Sequence, residues 1–148
     1  MEEEFINFLK KHNLYKEEII EFIKPRTFYI DNLDDYSMSF VGCYPKVEKN
    51  IIKDIRLCVP RIVDDITLSI NIHEYVHLYK MYHYLNKEYH FNKYEELLPV
   101  MYELIFLKEN NSVDYLNFYI EHIKSKNNYL MILLELLKLD DKGFVKKK

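Results

Sequence analysis

Apolar residues recur at helical spacing over 3–11 (Phe5, Phe8, Leu9) and again over 15–24 (Ile19, Ile20, Ile23), with Asn13 between the runs and Pro25 after them. The spacing predicts two short helices packed as a hairpin. From Thr27 the period changes to two: Phe28 and Ile30, then Met38 and Phe40 against Ser37 and Ser39, then Ile55, Leu57 and Val59 against Asp54, Arg56 and Cys58. Turn residues at Asp31-Asn32, Asp34-Asp35 and Tyr44-Pro45 separate these runs. The pattern predicts a small antiparallel sheet of about three half-buried strands.

Pro60 closes the last strand, and Asp64 or Asp65 is placed to cap a helix running to about Asn86. Its apolar residues (Ile66, Leu68, Ile70, Ile72, Val76, Leu78, Met81, Leu85) lie nearly all round the axis, which marks a central, buried element. A polar link leads to a second apolar helix at about 93–109. Ser112 starts a third at 113–125, and Asn127-Asn128 turns the chain into a leucine-rich fourth that ends near Leu139. The expected architecture is α+β: one mostly helical domain over 1–139, with a small sheet followed by the buried helix and three further helices. Residues 140–148, with three terminal lysines, read as a disordered basic tail.

At 148 residues the chain suffices for one core without disulfides or a structural metal, so a metal here would serve function. A 49% hydrophobic content with 30% charged residues is that of a folded protein, and a net charge of -3 gives no general attraction to nucleic acid or an anionic membrane. No run approaches the length of a membrane span, and the acidic Met1-Glu2-Glu3-Glu4 is no signal sequence, so the cytoplasm is the expected compartment. Cys43 and Cys58 fall in expected strands and read as free core thiols.

The central helix carries His73-Glu74-Tyr75-Val76-His77, an HExxH sequence. Residues four apart on a helix differ by about 40° around the axis, so His73 and His77 present their imidazoles to one point, which can hold a zinc ion. Glu74, about 100° from His73, is placed to reach a water there as general base. Burying these three side chains is costly without partners, and a cation would supply one.

A zinc held by two histidines needs at least one more protein ligand. His83 completes an HxxxHxxxxxH spacing, but Lys80 stands where a chain-turning glycine is needed; a continuing helix places His83 about 15 Å along the axis from His73, out of reach. The remaining candidates are Glu95 and Glu96. Glu96 shares a stripe with Val100, Glu103 and Leu107, two carboxylates on an otherwise apolar face, while Glu95 aligns with Tyr102, Phe106 and Glu109. Pro99 starts or kinks the helix at this point and re-aims the pair.

His73 to His77 with Glu96 on the following helix resembles the gluzincin branch of the HExxH zinc metallopeptidases, the zincins. Glu96 followed seven residues later by Glu103 is also similar to the ligand-glutamate pattern of the thimet-oligopeptidase-like enzymes. The resemblance implies a minimal zincin-like domain, a very short member, with zinc on His73, His77 and Glu96, Glu74 as general base, and Glu103 supporting the ligands. It implies hydrolysis of a peptide or protein substrate, with an oxyanion donor from a later helix, among which Tyr115, Tyr119, His122 and Tyr129 are available. The strand over 54–59 is then a candidate for pairing with extended substrate. So short a domain offers a shallow site, which suggests a homo-oligomer or a regulatory partner. The competing expectation is a non-catalytic helical interaction module whose metal is structural or vestigial, closed by a fourth ligand such as His90 or His122.

Overall fold

The computed structural model describes residues 2–117 apart from Leu33, Lys93, Val113 and Tyr115. The chain runs α1 (Glu2–Lys11), α2 (Glu17–Ile23), a 3-10 turn (Lys24–Arg26), β1 (Thr27–Ile30), α3 (Asp35–Met38), β2 (Gly42–Glu48), β3 (Ile51–Pro60), α4 (Asp65–Tyr82) and α5 (Leu97–Glu109). The architecture is α+β, with the HExxH helix following the sheet. Most of the helix expected at 113–125, the one expected to end near Leu139 and the tail from Asp140 lie outside the described residues. Of the first, Leu116 is buried and its N–H donates to the Ser112 carbonyl at 2.8 Å.

The sheet has three strands in the order β1-β3-β2, and it is mixed, not antiparallel: β3 pairs antiparallel with β2 but parallel with β1. Two local signals account for the difference. The alternation over Ser37 to Phe40 covers only four residues, and the Asp34 carboxylate accepts the Ser37 N–H at 2.7 Å, starting the one-turn helix α3 where a strand was expected. The strand that does pair is Gly42–Glu48, which runs through the expected turn at Tyr44-Pro45. Pro45 is tolerated because β2 lies at the sheet edge. Lys49 and Asn50, both at positive φ (52° and 66°), form the two-residue hairpin that returns the chain as β3. Central β3 is therefore ten residues long, beginning at Ile51.

Helix α4 lies against the inner face of this sheet, where Ile52, Ile55 and Val59 are sealed from solvent, and against α5 through Leu104 and Leu107. On a third side the Tyr75 hydroxyl donates to the Leu14 carbonyl at 2.8 Å, fixing the turn between α1 and α2 to the middle of α4. Packed on three sides, α4 buries eleven of its eighteen residues, including Glu74 and His77. It ends at Tyr82, short of the expected Asn86, with His83 as its C-cap.

The start of α4 is fixed by Asp64, whose carboxylate accepts the Thr67 N–H at 2.8 Å while the Thr67 hydroxyl oxygen accepts the Asp64 N–H at 3.0 Å. Removing this reciprocal cap with Asp64→Ala is expected to cost about 1 kcal/mol, lowering the thermal midpoint by roughly 2–4 °C. Thermal unfolding followed by circular dichroism checks this; an unchanged midpoint would show that the cap does not limit stability.

Candidate metal centre

Helix α4 brings His73 and His77 to one face, their ring centroids 5.1 Å apart, as the i, i+4 spacing requires. Glu96 reaches them from the start of α5. One of its carboxylate oxygens lies 2.9 Å from His73 Nε2, the other 2.9 Å from His77 Nε2. The two imidazoles and this carboxylate thus converge on a shared point.

The placement of Glu96 follows from local sequence. It stands at the N-cap of α5, yet its side chain makes no capping hydrogen bond, because the carboxylate is turned to the histidines. Pro99 sits in the first turn, where the N–H it lacks would have had no partner within the helix, so α5 begins here and not at 93. Glu95 points elsewhere. It accepts the Tyr89 hydroxyl at 2.6 Å and the Asn92 N–H at 3.2 Å, and lies 3.4 Å from Lys80 Nζ. Glu95 ties down the loop that presents Glu96.

Two turns further along the same stripe, Glu103 is 3% exposed and accepts the His73 Nδ1–H at 2.7 Å. This bond fixes the ring and directs Nε2 toward Glu96, the arrangement that orients histidine ligands in metal sites. Although burial alone would depress the His73 pKa, the hydrogen bonds to Glu103 and Glu96 win and raise it to about 10. Glu96 is held well below the usual carboxylate range by the same two histidines.

Glu74 is 7% exposed, and a carboxylate oxygen of it lies within 4.8 Å of the ligand atoms of both histidines. Burial pushes its pKa upward against the pull of His73 and His77. Cys43 and Cys58 line the neighbouring sheet; burial, reinforced by the Glu74 carboxylate, raises both thiol pKa values, so both are held as neutral thiols.

The other sequence candidates are not brought to this point. His83 is exposed, its Nδ1 2.7 Å from the Tyr79 carbonyl, and exposed His90 lies 2.9 Å from Glu88. Tyr115, Tyr119, His122 and Tyr129 are outside the described residues. The expected substrate-pairing strand over 54–59 is part of central β3, which has β1 on one side and β2 on the other; the sheet edges belong to β1 and β2. Sequence reasoning missed the work of Glu95, Tyr89 and Asn92 in shaping the Glu96 loop, for which no periodic signal exists.

Two imidazole nitrogens and a carboxylate, backed by a buried carboxylate on one ring, form a donor set suited to a borderline divalent cation such as zinc. The Glu96 side chain is half exposed, whereas those of His73 and His77 are 16% and 9% exposed. Among the described residues no helix is long and apolar enough to cross a membrane. Comparison with protein-family models, with curated proteins and with solved structures returned no match.

In the metal-free protein, Glu103→Gln and Glu96→Gln should each lower the His73 imidazole pKa from about 10 toward its ordinary 6.5, while Glu95→Gln should leave it in place. NMR titration of the His73 ring checks this. Because the folded value is raised, the stability these contacts contribute is complete below the unfolded pKa and is lost as pH rises through about 10.

Proposed function

We propose that this chain is a zinc-dependent metallopeptidase that hydrolyses peptide bonds, with His73, His77 and Glu96 holding the metal and Glu74 acting as general base. The observation that carries the reading is the convergence of the two Nε2 atoms and the Glu96 carboxylate, with Glu74 beside them. Bound there, zinc would supply Lewis acidity, polarising a scissile carbonyl and easing deprotonation of water.

The rest of the chemistry belongs to the chain. Burial raises the Glu74 pKa, and a carboxylate beside the two histidines can accept a proton from an attacking water and return it to a leaving amine. Glu103 accepts the His73 Nδ1–H, which leaves Nε2 as the nitrogen that would exchange its proton for the metal. The reading places the protein in the cytoplasm, acting on peptide or protein substrates, with a second copy or a regulatory partner extending a shallow site.

Elemental analysis of protein purified without an affinity tag is expected to find about one zinc per chain. His77→Ala and Glu96→Ala should lose or weaken it. Glu74→Gln should keep the zinc while peptide hydrolysis falls by about 100-fold or more. Full hydrolytic activity in that variant would remove Glu74 from the mechanism, and absence of zinc after reconstitution would sink the reading as a whole.

A further inference from the structure

Residues two apart on a helix lie about 200° apart around its axis, so Asn71 and Tyr75 face away from His73 and His77. On their side of α4 lies a cavity of about 340 Å³. It is lined by α1, α2, β1, β3 and α4 and opens to solvent, and its wall is largely apolar: Phe5, Ile20, Ile23, Leu57, Val59 and Tyr75. A space of this size and lining lies within the range of small-molecule sites.

Most polar groups around it already have partners. At the rim, Lys24 lies 2.8 Å from Glu21, and Arg61 lies 2.7 Å from Asp31, so neither cation is left over for an anionic ligand. The Thr27 hydroxyl donates to the Ile23 carbonyl and the Tyr75 hydroxyl to the Leu14 carbonyl, each at 2.8 Å.

Glu2 and Tyr29 also line the cavity but are exposed to solvent, whereas Asn71 is buried. Its amide nitrogen donates to the carbonyls of Pro60 and Thr67, both at 2.9 Å. Two acceptors on that side fix which end of the amide is nitrogen. No hydrogen bond among the described residues ends on its Oδ1. The residue is 8% exposed, yet this oxygen is not sealed: among the described residues the enclosed side-chain atom without a partner is Asn117 Oδ1. Asn71 Oδ1 is therefore accessible, and Asn71 is among the residues that line the cavity.

We propose that this cavity is a binding site for a neutral, largely apolar small molecule carrying one hydrogen-bond donor, a hydroxyl or amide, that is received by Asn71 Oδ1. The apolar wall takes the body of the ligand, and the fixed acceptor selects for the donor. A site built around a buried acceptor discriminates against an analogue that leaves it unpaired. The proposal stands apart from the metal centre and does not depend on it.

The test uses 4-butylphenol and its methyl ether, 4-butylanisole, in which a methyl group replaces the donor hydrogen. Each is titrated into the full chain while NMR follows the Asn71 side-chain amide and the Ile23 methyl groups. The phenol should give saturable shifts at both residues and bind about tenfold more tightly than the ether. Ile20→Phe, which fills the cavity and leaves Asn71 unchanged, should abolish the shifts in protein shown by circular dichroism to be folded; Ile6→Phe takes its place if that variant does not fold. Equal binding of phenol and ether would remove the role of Asn71. Shifts that persist in the filled variant, or no saturable shift from either compound, would overturn the site and leave an oxygen that faces water only.

Discussion

The structure depends on how one buried helix accommodates ionisable side chains. Packed against the sheet, α5 and α1, helix α4 nevertheless carries His73, Glu74 and His77 along one flank. Ionised groups in such surroundings are unfavourable unless paired and hydrogen-bonded. The compensation comes from α5. Glu96 and Glu103, seven residues and about two turns apart, reach the same histidine from its two ring nitrogens. That pairing specifies the register of α5 on α4 more sharply than the surrounding leucines do, since an apolar contact tolerates sliding and a 2.7 Å hydrogen bond does not.

Much of this was legible in the sequence because it rests on periodicity. The i, i+4 spacing put His73 and His77 together, and the shared stripe of Glu96, Val100, Glu103 and Leu107 identified both carboxylates that meet them. The choice between Glu95 and Glu96 was not legible from composition or period. It is made by loop contacts among Tyr89, Asn92 and Glu95, none of which repeats. The sheet was harder to read for a related reason. Strand alternation over four residues is easily overridden by one capping carboxylate, as at Asp34, and a proline reads as a break unless its strand is known to lie at an edge, as Pro45 does. Parallel pairing of β1 with β3 depends on where the chain returns after α3, a long-range outcome that no local pattern encodes.

The sheet's contribution is chiefly positional. Central β3 feeds directly into the Asp64 cap, so the first turn of α4 is fixed within a few residues of a fully paired strand. From there the helix presents two unlike flanks. One carries the convergent nitrogens and carboxylates; the other carries Asn71 and Tyr75, tied to backbone carbonyls of β3, α4 itself and the α1–α2 turn. A single helix thus carries two flanks of different chemistry, one paired with side chains of α5 and its N-cap and the other anchored to main chain.

The position of Glu96 at the junction of loop and helix has a consequence for affinity. His73 and His77 sit on a helix that cannot move without unpacking the core, whereas the carboxylate that meets them is half exposed at the end of a connection held by a few hydrogen bonds. If that connection is in place for only a fraction of the time, the apparent dissociation constant of any ion using all three groups is the intrinsic constant divided by that fraction. Occupancy of the centre then becomes a property of the loop between α4 and α5. A change at Tyr89 or Asn92, which bond to Glu95 and not to the histidines, would then alter it without removing a ligand.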